Sequence, residues 1–206
     1  MTGKRRAGTE TRELIIAAVA SLITERDPEA VNVATVMRRA GVSRTAFYRQ
    51  FDSIYDVYAS LLVRVGSEVF AEAGSWIANP GTVGSPDIAH SNSVEYARAF
   101  TKYGELLTAL HDVGGADARL RELWRDGFIQ PFIDTTTAAI ARDQASGAIS
   151  PDLDPATTAL ALTLMGEAAS LELLGRQRIE PEAYADIIAP IWISVLFGVV
   201  PEYDES

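Results

Sequence analysis

Residues 33–51 read VATVMRRAGVSRTAFYRQF, two short apolar stripes separated by Ala-Gly-Val-Ser, and few folds accommodate that pattern. Val33, Val36, Met37 and Ala40 recur at the spacing of one face of a short helix, and Asn32 is placed to cap its start. Gly41 ends that helix, because glycine takes the left-handed conformation after a helix at little steric cost. Ser43 caps the next segment, from Arg44 to about Gln50. A helix, a tight glycine turn and a second helix form the helix-turn-helix arrangement, whose second helix enters the major groove of DNA. Ala40 is small where the two helices cross, Val42 fills the space between them, Phe47 faces inward with Val36, and Phe51 closes the small core. Arg44 and Thr45 then point toward base edges: arginine bonds guanine with two hydrogen bonds and the threonine methyl touches thymine. Tyr48 and Arg49, one turn on, are placed for phosphates, which set register without reading sequence.

The charge distribution agrees. The chain carries a formal net charge of −10, yet residues 1–65 hold ten basic and seven acidic residues, net +3, leaving −13 on the remaining 141. Between Asn32 and Phe51 there are four arginines and no carboxylate. Such asymmetry points to a polyanionic partner for the basic part, here double-stranded DNA. Lys4, Arg5 and Arg6 form a basic N-terminal arm that can add nonspecific contacts to a duplex. With no cysteine, disulfides and thiolate chemistry are excluded. No continuous apolar run follows the basic N-terminal residues, so a signal peptide is not expected. The most apolar stretch, from Ala156, approaches the length of a membrane span but carries Glu167 and Glu172. It reads as a helix buried on most sides, and the chain as cytoplasmic with no membrane partner.

Helical periodicity recurs along the rest, with no strand-like alternation of useful length. Ile15, Ala18, Val19, Leu22 and Ile23 predict a helix near 10–25, and Ile54, Val57, Tyr58, Leu61, Leu62, Val65 and Val69 a long helix from 54 to about 77. The loop NPGTVGSP ends it. Further helices are expected near 91–111, in one or two pieces over 117–146, from about 155 to 176 behind Asp154 and Pro155, and from Pro181 with a kink at Pro190. The fold class is therefore all-α, about nine helices, with a helix-turn-helix domain over 1–53 and a larger ligand-binding and dimerisation domain over 54–206. Residues 156–174 and 183–197 are apolar around most of their circumference, which predicts a homodimer built on these two helices.

The stretch VNVATVMRRAGVSRTAFYRQF, followed by a long helix, resembles the DNA-binding region of the TetR family of bacterial repressors, at Val33, Ala40, Gly41, Val42, Ser43, Tyr48 and Phe51. Asn32 replaces the family's usual threonine and Phe47 its usual leucine. After Phe51 the chain reads Ser53, Ile54, Tyr55 where the family commonly shows serine-lysine-glutamate, so a lysine–phosphate contact is lost and the Ser53 hydroxyl with its helix start remains for a phosphate. Farther on, "ELW", "LMGE" and "PIW" are similar to segments of the ethionamide-type mycobacterial branch of that family. The resemblance implies a narrow aromatic channel for an elongated apolar small-molecule effector that spreads the DNA-binding heads. It places Trp124 and Trp192 in the channel directly, Tyr96 and Tyr103 with them, and Thr163 and Gly166 where that branch has asparagines. Phe128 is a candidate lining residue one turn beyond Trp124, and Glu167 a candidate hydrogen-bond partner for the ligand. The reading is a repressor released from a near-palindromic operator. A helical adaptor that no longer meets DNA, or a small helical enzyme using the C-terminal cavity, are the alternatives. No catalytic nucleophile, cofactor motif or metal-ligand spacing is apparent, and His90 and His111 read as structural or exposed.

Overall fold

The computed structural model describes residues 2–25, 31–78, 86–115 and 117–198, with side chains described over 8–71 and from 89 onward within those ranges. In chain order the helices are α1 (Thr2–Glu25), α2 (Val33–Ala40), α3 (Arg44–Tyr48), α4 (Ile54–Ala78), α5 (Pro86–Gly114), α6 (Ala118–Glu122), α7 (Gln130–Ala145), α8 (Pro155–Ala169) and α9 (Pro181–Phe197). The all-α class holds, and α1 begins well before the expected start near residue 10. The breaks over 26–30 and 79–85 lie outside the described residues. Two features escape helical periodicity: π-helical turns at Leu123–Ile129 and Ser170–Gly175. The first lies directly upstream of Pro131, which has no N–H to give the Gly127 carbonyl.

By packing, the chain divides into two compact units, Met1–Gly66 with Glu105–Gly127, and Ser67–Gly104 with Phe128–Ser206. This boundary runs through α4 rather than after residue 53. The physical reason is that Val57, Tyr58, Leu61 and Leu62 of α4 are buried parts of the first core. A division by role and a division by packing therefore fall at different places.

In the first unit Ile15, Ile16, Val19, Leu22 and Ile23 of α1 are buried, as are Val36, Phe47 and Phe51 around the helix-turn-helix. Each such side chain contributes about 1.5–3 kcal/mol of burial. Helices as short as α2 and α3 are marginal alone, so their ends matter. Asn32 Oδ1 accepts from the N–H groups of Ala34 and Thr35 at 3.0 and 3.1 Å, while the Asn32 N–H donates back to Thr35 Oγ1 at 3.1 Å. Gly41 closes α2 with φ 67°, its N–H donating to the Met37 carbonyl. α1 is tied to α4 by Arg64 on Glu13 at 2.9 Å and by Arg12, which donates to Ser60 Oγ at 2.8 Å with its guanidinium over the Phe51 ring.

In the second unit α7, α8 and α9 share a core of Ile140, Ile149, Ala159, Leu162 and Leu196. Asp154 caps α8 by accepting from the Thr157 N–H at 2.9 Å, with Pro155 at the first helical position. The Thr157 hydrogen bond also holds the Asp154 carboxyl below its ordinary pKa. α9 runs as one helix through Pro190 and ends at Gly198, φ 65°. His90 pairs with Asp186 at 2.8 Å and Arg98 with Glu182 at 2.5 Å, joining α5 to α9 at the surface. His90 thus has an acidic neighbour that its sequence context does not reveal, in an exposed position. Pro155–Gly175 has the length and hydropathy of a membrane span. Its Ala159, Leu162, Thr163 and Ser170 are buried in this unit, whereas Leu160 and Leu164 are exposed.

Candidate nucleic-acid interface and interior ring cluster

α3 has one buried side chain, Phe47, and turns Arg44, Thr45 and Tyr48 outward, with Arg49 following at its C-cap. Ser43 caps it by accepting from the Ala46 N–H at 3.2 Å, and keeps its hydroxyl proton for an outside acceptor. The Arg44 guanidinium lies over the Tyr48 ring at 5.2 Å from the centroid, which steadies both on the outer face. Electrostatics separates the arginines of this unit into two groups. Arg39 meets Glu25 through two hydrogen bonds at 3.0 and 2.7 Å and also donates to Ser21 Oγ. The Glu25 hydrogen bond and charge raise its pKa further. Arg38, Arg44 and Arg49 are exposed, and among the described residues no carboxylate pairs with them. Their charge is open to a polyanion.

Ser53 has a different occupation. Its N–H and hydroxyl both donate to Asp56 Oδ2, at 2.7 and 2.8 Å, and its oxygen accepts from the Asp56 N–H at 3.3 Å. The Ser53 hydroxyl expected to meet a phosphate at the start of α4 is here engaged with the Asp56 carboxylate. The signal was local: an acid three residues after a serine at a helix start is a capping pair. Lys4, Arg5 and Arg6 lie in the first turns of α1, and their side chains are outside the described residues.

Of the expected effector residues, Trp124 belongs to the first unit and the others to the second. Trp124 is buried in the first unit, its ring at 5.1 Å from that of His111 in an edge-to-face pair. Trp192 packs against the core of the second unit. Tyr103 donates its hydroxyl to Glu68 at an exposed position. Within the second unit, Tyr96 and Phe128 do come together, through Phe132: the centroids lie at 6.3 Å from Tyr96 and 5.8 Å from Phe128, with Phe70 at 5.0 Å. Tyr184 lies at 6.2 Å from Tyr96 on another side.

One end of this ring cluster is polar. Ser170 donates to the Gly166 carbonyl at 2.7 Å. Ser170 Oγ is also within 3.0 Å of the Tyr96 hydroxyl and 2.8 Å of the Tyr184 hydroxyl, and the latter reaches the Gly166 carbonyl at 3.3 Å. Burial pushes the Tyr184 phenol up to about 12, against the opposing Ser170 hydrogen bond. Burial raises Tyr96 as well, helped by Tyr184 and by the nearby Glu167 carboxylate. Thr163, Gly166 and Glu167 precede Ser170 on α8, and Thr163 is 9% exposed with no partner for its hydroxyl. Ser170 and Tyr184 are absent from the sequence-based set. Ser170 falls four residues after Gly166 and seven after Thr163, on one helix face, and that spacing was the available signal.

A capped two-helix reading head with an open basic face, on an all-helical body, is the architecture of helix-turn-helix regulators of transcription. Comparison with known proteins narrows this. Residues 15–61 match the family described as bacterial regulatory proteins, tetR family, and residues 91–198 match that of the transcriptional regulator EthR, C-terminal domain. The HTH-type transcriptional regulator EthR of Mycobacterium tuberculosis is 28% identical over 196 residues, 94% of this chain and 90% of that protein. EthR of Mycolicibacterium smegmatis is 25% identical, over 96% and 91%. A crystal structure described as a TetR-family transcriptional regulator from Syntrophomonas wolfei superposes with a TM-score of 0.74 at 12% identity, covering 95% of this chain and 99% of that one. The chain belongs to the TetR family of bacterial regulatory proteins, with the C-terminal domain of its EthR branch, and is a DNA-binding transcriptional regulator.

Proposed function

We propose that the protein is a cytoplasmic homodimeric repressor, with residues 1–53 reading DNA and 54–206 binding an apolar effector and the partner subunit. Each protomer inserts α3 into one of two successive major grooves of a near-palindromic operator. Arg44 and Thr45 read base edges, while Ser43, Tyr48 and Arg49 hold phosphates. The observation that carries this reading is the unpaired state of Arg44 and Arg49 beside the neutralised Arg39. Ser53 is left out, because its hydroxyl already serves Asp56. Lys4, Arg5 and Arg6 remain as a basic arm.

Dimerisation is supported by Leu160 and Leu164 on α8 and Ile187, Ile191 and Val195 on α9, all exposed large apolar side chains. Effector binding is supported by the ring cluster of the second unit and its polar end. Trp124, Trp192 and Tyr103 are not needed at that end, where Tyr96, Phe128, Thr163, Gly166 and Glu167 lie. An effector releases DNA only if it binds the DNA-incompetent state better, by roughly 1–3 kcal/mol in coupling. Titrating a selected duplex against salt tests the DNA reading. With one Arg49 per half-site neutralising a phosphate, log Kd against log salt has a slope of at least about 2 in magnitude. A salt-independent affinity contradicts it.

A further inference from the structure

Gly166 lies in the interior of α8, where glycine costs about 1 kcal/mol relative to alanine. Elsewhere in this unit a glycine is required by close approach: a Cβ on Gly104 would stand 3.0 Å from Gly175 Cα. At Gly166 a Cβ would meet no described atom within 4 Å. Yet Gly166 belongs to the buried arc of its helix, between Leu162 and Thr163 on one side and Ser170 on the other. Gly166 itself is half-buried, and the space beside it is open and unused by the described protein. Thr163, one turn earlier on that arc, is buried to nine-tenths with no hydrogen-bond partner for its hydroxyl, a costly arrangement unless something else supplies one.

The hydrogen atoms around this space can be counted. Ser170 donates to the Gly166 carbonyl at 2.7 Å, closer than the 3.3 Å at which the Tyr184 hydroxyl reaches the same oxygen. With the Ser170 proton so placed, the hydroxyls of Tyr96 and Tyr184 are the donors toward Ser170 Oγ. In that arrangement all three protons are consumed inside the cluster, which leaves lone pairs on the two phenol oxygens. Glu167 adds a negative field next door. Of the basic side chains described in this unit, His90, Arg98, Lys102, Arg176 and Arg178 are at the surface, each with more than a third of its area in solvent or an exposed ion pair. Arg142 pairs with the buried Asp143 and lies ten residues, about 15 Å by helix rise, along α7 from Phe132. An anion entering this end meets the phenol lone pairs and a nearby carboxylate, with the neutral Thr163 hydroxyl as a donor and no free cation among the described residues of this unit.

Resting on the effector site proposed above, we infer that the effector is an apolar molecule whose polar group is an uncharged hydrogen-bond donor, an alcohol or an amide N–H, and not a carboxylate. Its donor meets the phenol oxygens of Tyr96 and Tyr184, and Thr163 completes the pairing. The aliphatic or aromatic remainder lies along Phe132 and Phe128.

Four probes of equal chain length test this by calorimetric titration of the full-length protein: n-decanol, its isomer methyl nonyl ether, n-decanoate and n-decane. The alcohol is expected to bind about tenfold or more tightly than the ether, the value of one satisfied hydrogen bond in a dry site, and decanoate more weakly than either. Replacing both phenols, Tyr96→Phe with Tyr184→Phe, should bring the alcohol and ether toward equal affinity, while Thr163→Val should weaken both and keep the preference. Gly166→Leu fills the space and should abolish binding of every probe, with circular dichroism and DNA binding as checks on folding. If Gly166→Leu blocks binding but the ether or decanoate is the tightest probe, the site stands and the donor inference is overturned. If no probe binds, or Gly166→Leu changes nothing, the site itself fails and the inference falls with it.

Discussion

Replacing Leu164 by glutamate should separate the dimer without unfolding the protomer. Leu160, Leu164, Ile187, Ile191 and Val195 are between 38% and 49% exposed in the single chain. Covering the remainder of each is worth about 1 kcal/mol, and a two-fold interface counts each side chain twice, so the gross gain is on the order of 10 kcal/mol. Association itself costs an estimated 4–15 kcal/mol, so the remaining exposed parts of α8 and α9 must contribute too and the margin is narrow. Leu164→Glu removes one such contribution per protomer and puts an unpaired carboxylate on each side, at a cost of several kcal/mol apiece. The sum, on the order of 5–10 kcal/mol, moves a submicromolar dimer to a monomer at micromolar concentration. Sedimentation equilibrium reads the outcome, with far-UV circular dichroism showing that the helices persist. Ala141→Glu, at an exposed position of α7, is the control. A Leu164→Glu protein that sediments as the same dimer refutes the placement of the interface on α8 and α9.

Other consequences are smaller. Asn32→Ala removes both hydrogen bonds to the start of α2 and should cost about 1 kcal/mol in urea unfolding. The Tyr184 phenol, raised in the fold, should make stability fall at high pH. Below pH 10 the phenol is neutral in both states and nothing is lost, whereas from 10 to about 12 the unfolded chain ionises first and is favoured, by about 3 kcal/mol at the upper end. Tyr184→Phe should flatten that part of the stability–pH curve, and an unchanged slope would assign it to other groups. Arg39→Ala should leave sequence preference in DNA unaltered, because Glu25 already holds that side chain, and altered preference in a binding-site selection would contradict this.

How much could be read in advance follows from which forces act locally. Capping at Asn32, Ser43 and Asp154 and the glycine turn at Gly41 depend on residues within a few positions, and helix starts and the reading head were legible for that reason. The π turn at Ser170–Gly175 was not, because it accompanies a side chain bonding back to its own helix and two tyrosines arriving from α5 and α9. The effector residues were legible only as types. Trp124 and Trp192 are aromatic on helical faces, as a lining residue would be, and their neighbours, His111 for one and an aliphatic core for the other, come from distant parts of the chain. The Ser53–Asp56 pair was legible as the other caps were, as a serine at a helix start with an acid three residues on.

The central claim is that the outer face of α3 reads base pairs. Binding-site selection from randomised duplexes with wild-type protein and Arg44→Ala tests it most directly. The account predicts an enriched near-palindrome for the wild type. For the variant it predicts a loss of about 1–3 kcal/mol and relaxed preference at one base pair in each half-site. The same enriched sequence at the same affinity from both proteins would contradict it.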